Sequence, residues 1–324
     1  SFTGKSINCN PMYFNRFLLE YASAEYEYVW VVNDPERIFV PEDLKGKIRL
    51  VKAGSPAYFR ELATAGIVIY NVGLPSGSLV PKRKTQIWVD TWHGGGAFKA
   101  ADMNAEKTPV RQAIDRMIGR QIDIFLSSNR VFTEQVSRAM QVKLSHFQPT
   151  GLPRNDLFFR DFSMCRDKVR KALGIPEEQK LFLYAPTFRG NFLHAKEAEA
   201  IDYEAVKEAL EERFGGNFAV LERKHHADYS SCMWDFALTD KPGFLYFPDV
   251  RQFDRNKDFY TQPEEWPYEY AESTEALRQL ILSYDPEKAE KRRNAFFEKV
   301  GNYEKGTACA QLAELLKIKK KENR

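Results

Sequence analysis

The chain has 324 residues, of which 43% are hydrophobic, 14% aromatic and 29% charged, and its formal net charge is +3. That length fits two domains better than one, and the composition is that of a folded globular protein. Basic residues are interspersed with acidic ones, so no nucleic-acid partner is expected, and no run approaches the roughly 20 apolar residues of a membrane span.

The chain opens with "SFTGKS" (1–6), which reads as the end of a β-strand, so a further N-terminal piece is expected before it. "NPMYFNRFLLEYAS" (10–23) and "PAYFRELATA" (56–65) have helical apolar spacing. "YEYVWVV" (26–32), "IRLVK" (48–52), "AGIVIYN" (65–71), "TQIWVDTW" (85–92) and "QIDIFLSS" (121–128) read as strands. This β–α alternation predicts a parallel sheet covered on both faces. The pattern restarts after "TGLPRNDLFF" (150–159), with strands at "KLFLYAPTF" (180–188), "FAVLERKH" (218–225) and "PGFLYFP" (242–248). Helices are predicted in "DKVRKALG" (167–174), "DYEAVKEALEERFG" (202–215) and "SSCMWDFALT" (230–239), and in two charged segments at 286–302 and 307–321. The expected organisation is two Rossmann-like domains, 1–152 and 153–324, facing a central cleft with ligands at the carboxyl ends of the strands.

One junction breaks the pattern. The strand ending at His225 passes to a helix cap through only His226, Ala227 and Asp228. A parallel strand needs a crossover of a dozen or more residues to return to its sheet. An additional segment is therefore expected near 226–228.

Three stretches carry candidate chemistry. In "VDTWHGGGAFKAADM" (89–103), His93 follows an apolar strand and precedes Gly94, Gly95 and Gly96. Glycines let a backbone turn tightly and approach a ligand, and an imidazole there can act as a base near neutral pH. A histidine that merely caps a turn fits the spacing equally well. In "LYAPTFRGNF" (183–192), Thr187 and Arg189 lie in a loop after a strand, where an arginine fork suits a phosphate. An ordinary exposed turn is the plainer alternative. In "ERKHHADYSSCMWDFALTDKP" (222–242), Asp228, Ser230 and Ser231 are helix-capping types before a helical run. Such a helix start can hold an anion. It can also simply cap a core helix packed through Met233, Trp234 and Phe236. His225 and His226 are adjacent, so on a strand their rings point to opposite faces and do not form a chelating pair. No metal site is expected. The cysteines, Cys9, Cys165, Cys232 and Cys309, are too far apart for a zinc motif or a disulfide framework, and reduced thiols in the cytosol are the simplest reading.

Taken together and in order, "GKSINCNP", "TWHGGGAFK", "TGLPRNDLFF", "LYAPTFR", "ERKHH", "DYSSCMWDFALTDKPGFLY" and "DFY" resemble the CDP-glycerol glycerophosphotransferase family, which builds teichoic acids and related polyol-phosphate or capsular polymers. The resemblance covers nearly the whole chain. It implies a GT-B fold and transfer of a polyol phosphate from a CDP-activated donor to a hydroxyl, with release of CMP. It implies that His93 is the catalytic base and that His225 is a catalytic residue on the donor side. Ser230, Ser231, Thr187 and Arg189 would surround the donor phosphates. No cofactor is implied beyond the CDP-activated donor. The acceptor would be lipid-linked or a growing polymer, at the inner face of the cell membrane, with the protein cytoplasmic and peripheral. "PKRKT" (81–85) with Lys99, Lys107, Arg111, Arg116 and Arg120 could face anionic lipid or polymer, or be ordinary solvated surface.

There are departures. The family's common WHGTP is WHGGG here, His226 replaces a proline, and Lys257–Asp258 stands where the family has arginine–glycine before Phe-Tyr. Several dozen residues that the family carries before "DYSS" are absent. Two competing readings remain: a GT-B glycosyltransferase with another nucleotide donor, and a non-catalytic polymer-binding subunit.

Overall fold

A computed structural model of the chain describes residues 1–23, 26–72, 74, 80–96, 108–161, 163–185, 201–222, 232–248, 250 and 261–321. The described residues divide into two compact units. One takes in those of Ser1–Gly95, Ala105–Arg160 and Gly301–Arg324, and the other those of Gly96–Asn104 and Asp161–Val300.

In the first unit, α1 (Cys9–Tyr21) is followed by β1 (Val29–Val32), β2 (Arg49–Lys52), α2 (Pro56–Thr64), β3 (Ile67–Tyr70) and β4 (Ile87–Asp90). Then come α3 (Pro109–Gly119), β5 (Ile124–Leu126), α4 (Arg130–Met140) and β6 (Phe147–Gln148). The strands are short, apolar and rich in Val and Ile, the signature of parallel strands buried on both faces. β1 pairs with β2, and β3, β4, β5 and β6 form a second parallel sheet in that order. Two capping bonds fix helix starts. Ser55 Oγ accepts the Tyr58 amide at 3.2 Å ahead of α2, and Asn129 Oδ1 accepts the Phe132 amide at 2.8 Å ahead of α4.

The C-terminal segment departs from the expected division at 152/153. α10 (Ala308–Leu315) belongs to the first unit. It buries Cys309, Leu312 and Ala313 in one core with Phe14, Leu18, Val89, Ile124 and Leu126. The Asp156 carboxylate caps it, accepting the Ala308 and Cys309 amides at 2.8 and 2.9 Å. The buried Glu304 carboxylate accepts the Asn155 side-chain amide at 2.9 Å. Helical spacing in the sequence identifies the apolar stripe of this helix but not the sheet that buries it.

The second unit contains α5 (Ser163–Leu173), β7 (Lys180–Tyr184), α6 (Tyr203–Phe214), β8 (Phe218–Glu222), α7 (Cys232–Ala237) and β9 (Leu245–Tyr246). β10 (Tyr270–Ala271), α8 (Thr274–Leu282) and α9 (Pro286–Val300) complete it. Its described strands form two separate parallel pairs, β7 with β8 and β9 with β10. One face is covered: Val206, Ala209 and Leu210 of α6 and Leu277 and Ile281 of α8 pack with Phe218, Phe182 and Tyr184. On β7 and β8 the alternate residues Leu181, Leu183 and Val220 are exposed. The junction at 226–228 lies outside the described residues.

Candidate active site

β4 delivers the site. Trp88 and Val89 anchor it in the sheet, and the chain leaves through Asp90, Thr91, Trp92 and His93. The buried Asp90 carboxylate turns the chain by accepting the Trp92 amide at 2.8 Å. Burial raises the Asp90 carboxyl to about 7, and the Trp92 N–H only partly offsets this. Thr91 is tied to β3, its amide and hydroxyl both donating to the Tyr70 carbonyl at 2.8 and 3.1 Å.

The left-handed residue of this turn is Trp92, with φ 50°, and not one of the glycines to which the sequence pattern assigns the tight turn. Gly96 is not left-handed and is placed instead in the second unit, where a Cβ would collide with the Trp234 indole. Gly94 and Gly95 are buried, and the Gly95 carbonyl accepts the Asn129 side-chain amide at 2.8 Å and the Ser128 hydroxyl. Phe2, Thr3 and Cys9 share the left-handed conformation, with φ of 47°, 53° and 57°. Backbone strain of this kind, on the order of 1–3 kcal/mol per residue, gathers at functional sites.

His93 sits with Nδ1 2.9 Å from the Asn71 carbonyl. A carbonyl only accepts, so Nδ1 carries the proton and Nε2 keeps its lone pair. The ring lies 4.5 Å from the Trp92 ring and 5.8 Å, edge-on, from Phe2. Its pKa is lowered, first by burial and then by the nearby Arg154 charge, with the Asn71 bond acting in the opposite sense. The imidazole is therefore held neutral, with one nitrogen available as a base.

Two residues given no role at the sequence level hold the loop. The Asn10 side-chain amide, fully buried, donates to the Thr91 and Trp92 carbonyls, both at 2.9 Å. Its oxygen accepts the Arg154 amide at 3.2 Å. The Arg154 guanidinium donates to the His93 carbonyl at 2.5 Å and contacts Cys9 Sγ at 3.2 Å. Three successive carbonyls, 91 to 93, are thus held by side chains from "CNP" and "LPRND". Both strings belong to the motifs behind the family resemblance, and that was the only signal available for them.

The other expected site residues, Thr187, Arg189, His225, Asp228, Ser230 and Ser231, lie outside the described residues. Directly after Ser231 the chain enters α7, with Met233, Trp234 and Ala237 buried and Phe236 exposed. Trp234 packs edge-on against Phe296 at 4.6 Å. Among the described residues, no group of three His, Cys, Asp or Glu side chains is placed to hold a metal ion.

The model of the CDP-glycerol:poly(glycerophosphate) glycerophosphotransferase family matches residues 1–227 and 226–317. The chain belongs to this family. It is 23% identical over 369 aligned positions to a teichoic acid poly(glycerol phosphate) polymerase of Staphylococcus epidermidis, covering 98% of this chain and 49% of that protein. The chain thus spans about half the length of that relative. It is 25% identical to the polymerase of the same description from Bacillus spizizenii, covering 98% of this chain and 90% of that one. Among solved structures, the wall teichoic acid polymerase TagF aligns with a TM-score of 0.79 at 23% identity, over 98% of this chain and 86% of that chain. The α/β fold with parallel sheets is accordingly the GT-B type of that family.

Proposed function

We propose that this glycerophosphotransferase-family chain transfers glycerol phosphate, or a related polyol phosphate, from a CDP-activated donor to a hydroxyl of a lipid-linked or polymeric acceptor, in teichoic acid synthesis. The acceptor oxygen attacks the phosphorus that bears the polyol, the bond from that phosphorus to the oxygen of CMP breaks, and His93 Nε2 takes the hydroxyl proton. The observation that carries this reading is the His93 contact: Nδ1 lies 2.9 Å from the Asn71 carbonyl, which leaves Nε2 as the unprotonated nitrogen of the neutral ring, and burial lowers the ring's pKa. Phosphoryl transfer needs mainly positioning and electrostatic stabilisation of the leaving group. The donor-side residues proposed for this are Thr187, Arg189, His225, Ser230 and Ser231, with Asp228 at the helix start. No cofactor is proposed beyond the donor, a divalent metal is not excluded, and the EDTA sensitivity of CMP release decides whether one takes part.

The alignment to the Staphylococcus epidermidis relative runs over 369 positions, more than the 324 residues of this chain, and the family match comes in two pieces meeting at 226–227. The alignment length shows that the relative carries positions this chain lacks, and the break in the family match at 226–227 supports an additional segment at that junction. Peripheral association with the inner membrane face is supported by α3, where Val110, Ile114 and Met117 are exposed beside the exposed Arg116 and Arg120. Lys99 and Lys107 lie outside the described residues, and Lys82 is paired with Asp123. No described helix is long and apolar enough to cross a membrane.

The test is CMP release from CDP-glycerol with a lipid-linked or polyol-phosphate acceptor. General-base catalysis contributes about 10²–10⁴-fold, so His93→Ala is expected to lose turnover by that range and to retain donor binding. Wild-type turnover in the variant overturns the role of His93. CDP-ribitol, UDP-sugars and GDP-sugars in the same assay separate this reading from that of a glycosyltransferase with another donor. Acceptor binding with no release from any donor marks a binding subunit.

A further inference from the structure

Asp90 ends β4 with 2% of its surface exposed. Its register partners are Tyr70 on β3 and Phe125 on β5. Trp88, two residues back on the same face of β4, lies edge-on to Tyr70 at 6.4 Å. Among the described residues, the elements around Asp90 bring it no counter-charge: burial and the Trp92 amide are what act on its ionisation. On β3, the Tyr70 phenol is pushed up by burial and then by the Asp90 charge itself. Ahead of β5, the Asp123 carboxylate is taken up by Lys82 and by the Trp88 amide. From α4 the neighbour is Phe132, which packs on Phe125 and Trp92. On the loop itself, His93 is turned to the Asn71 carbonyl.

An acceptor for one amide does not need a charge. Asparagine accepts the same bond and buries no ion, whereas an ionised carboxylate without a partner costs folding stability. What ionisation adds is strength, since a charge-assisted hydrogen bond is about twice as strong as a neutral one. That strength is applied at the hinge of the site. The donor is the amide of Trp92, a bulky residue with φ 50°, and such residues seldom adopt the left-handed conformation unaided. Trp92 passes the constraint on: Asn10 holds its carbonyl at 2.9 Å, and its ring lies 4.5 Å from the His93 ring.

We propose that Asp90 is a positioning residue that works in its ionised form: the carboxylate locks the left-handed turn at Trp92 and so aims His93 Nε2 at the acceptor hydroxyl, and protonation of Asp90 loosens that aim. Asp90 does not touch substrate in this scheme and acts only through Trp92. With its carboxyl at about 7, its charge changes in the neutral range, and the loop becomes better ordered as pH rises. Fold stability runs the other way. The folded pKa is raised, so the stability that the neutral carboxyl contributes is lost as pH rises through about 7.

The proposal rests on the role of His93 in the reaction proposed above, so two of its readouts need no turnover. In protein labelled with ¹⁵N-tryptophan, the Trp92 amide proton, assigned by its loss in Trp92→Phe, is expected to move upfield as pH falls, with a midpoint near 7. Asp90→Asn should lose that step. The urea midpoint of Asp90→Asn should gain on that of wild type between about pH 5 and about pH 8. In CMP release at about pH 8, kcat should fall by about tenfold in Asp90→Asn, with the KM for CDP-glycerol unchanged. The wild-type profile should carry a partial step near 7, above the His93 limb, that the variant lacks. A Trp92 shift with the same pH dependence in both proteins overturns the proposal, as does equal kcat at about pH 8. If wild type releases no CMP from any donor, the reaction proposed above fails, and the ¹⁵N shifts of the His93 ring decide whether Asp90 sets its position. Identical ring shifts in the two proteins across the same pH range then overturn the proposal.

Discussion

β5 and β7 begin from similar sequence and meet different fates. "IFL" in β5 is buried at every position, between β4 and β6. "KLFLY" in β7 has an apolar run of the same length, Leu181–Leu183, yet Leu183 is 47% exposed, while Phe182 and Tyr184 reach the core. In the first unit α1 and α10 pack on the central strands. In the second unit, the described residues cover one face of β7 and pair it on one edge only. Strand formation follows from a local apolar run, but the stability a strand contributes depends on the layers and neighbours around it.

Substitutions at leucines in the two regions sharpen that contrast most. Leu312→Ala, at a fully buried position in the core of the first unit, is expected to cost about 2–5 kcal/mol of unfolding free energy. Leu183→Ala, on the exposed face of β7, is expected to cost under about 0.5 kcal/mol. Urea denaturation followed by tryptophan fluorescence measures both, and equal losses would break the comparison.

Asn10→Ala probes whether the loop that carries His93 is as firmly held as the strand beneath it. It removes the donor to two carbonyls and the acceptor for Arg154. Buried groups left unpaired cost about 1–3 kcal/mol each, so turnover is expected to fall by about 10–100-fold with donor affinity little changed. The ¹⁵N shifts of the His93 ring should show mixed tautomers in the variant. Unchanged turnover with an unchanged ring spectrum would remove Asn10 from the machinery.

The smallest effect is on pH. Burial, and then the Arg154 charge, hold the His93 pKa below its usual value. The active form is neutral, so the acid limb of kcat/KM should lie below about 6.5. Arg154→Gln removes a positive charge that disfavours the imidazolium. The His93 pKa should then rise, the acid limb should move to higher pH, and activity should be lost sooner on acidification. A limb that stays in place would show that burial alone sets this pKa.

Periodicity was enough to place most strands in both halves, because a buried parallel strand is a short apolar run between turn residues. α3, α4, β6, β10 and α8 were not singled out: α4 keeps only Phe132, Val136, Ser137 and Ala139 buried, α8 only Leu277 and Ile281, and β6 and β10 have two residues each. His93 was legible because an imidazole between a strand and three glycines is an unusual local pattern. Asn10, Asn71 and Arg154 were not, since each is an ordinary polar residue until folding brings it to the loop.

The sequence by itself determined the alternating α/β plan, the family, and the histidine at the end of β4, because each is written in contiguous residues. Only the tertiary structure decided that Trp92 takes the left-handed turn, that the carbonyls of residues 91 to 93 are held by Asn10 and Arg154 from far along the chain on either side, and that α10 closes the first unit and not the second. Those outcomes depend on which apolar faces and unpaired main-chain groups meet across the fold, and spacing along one chain does not encode that.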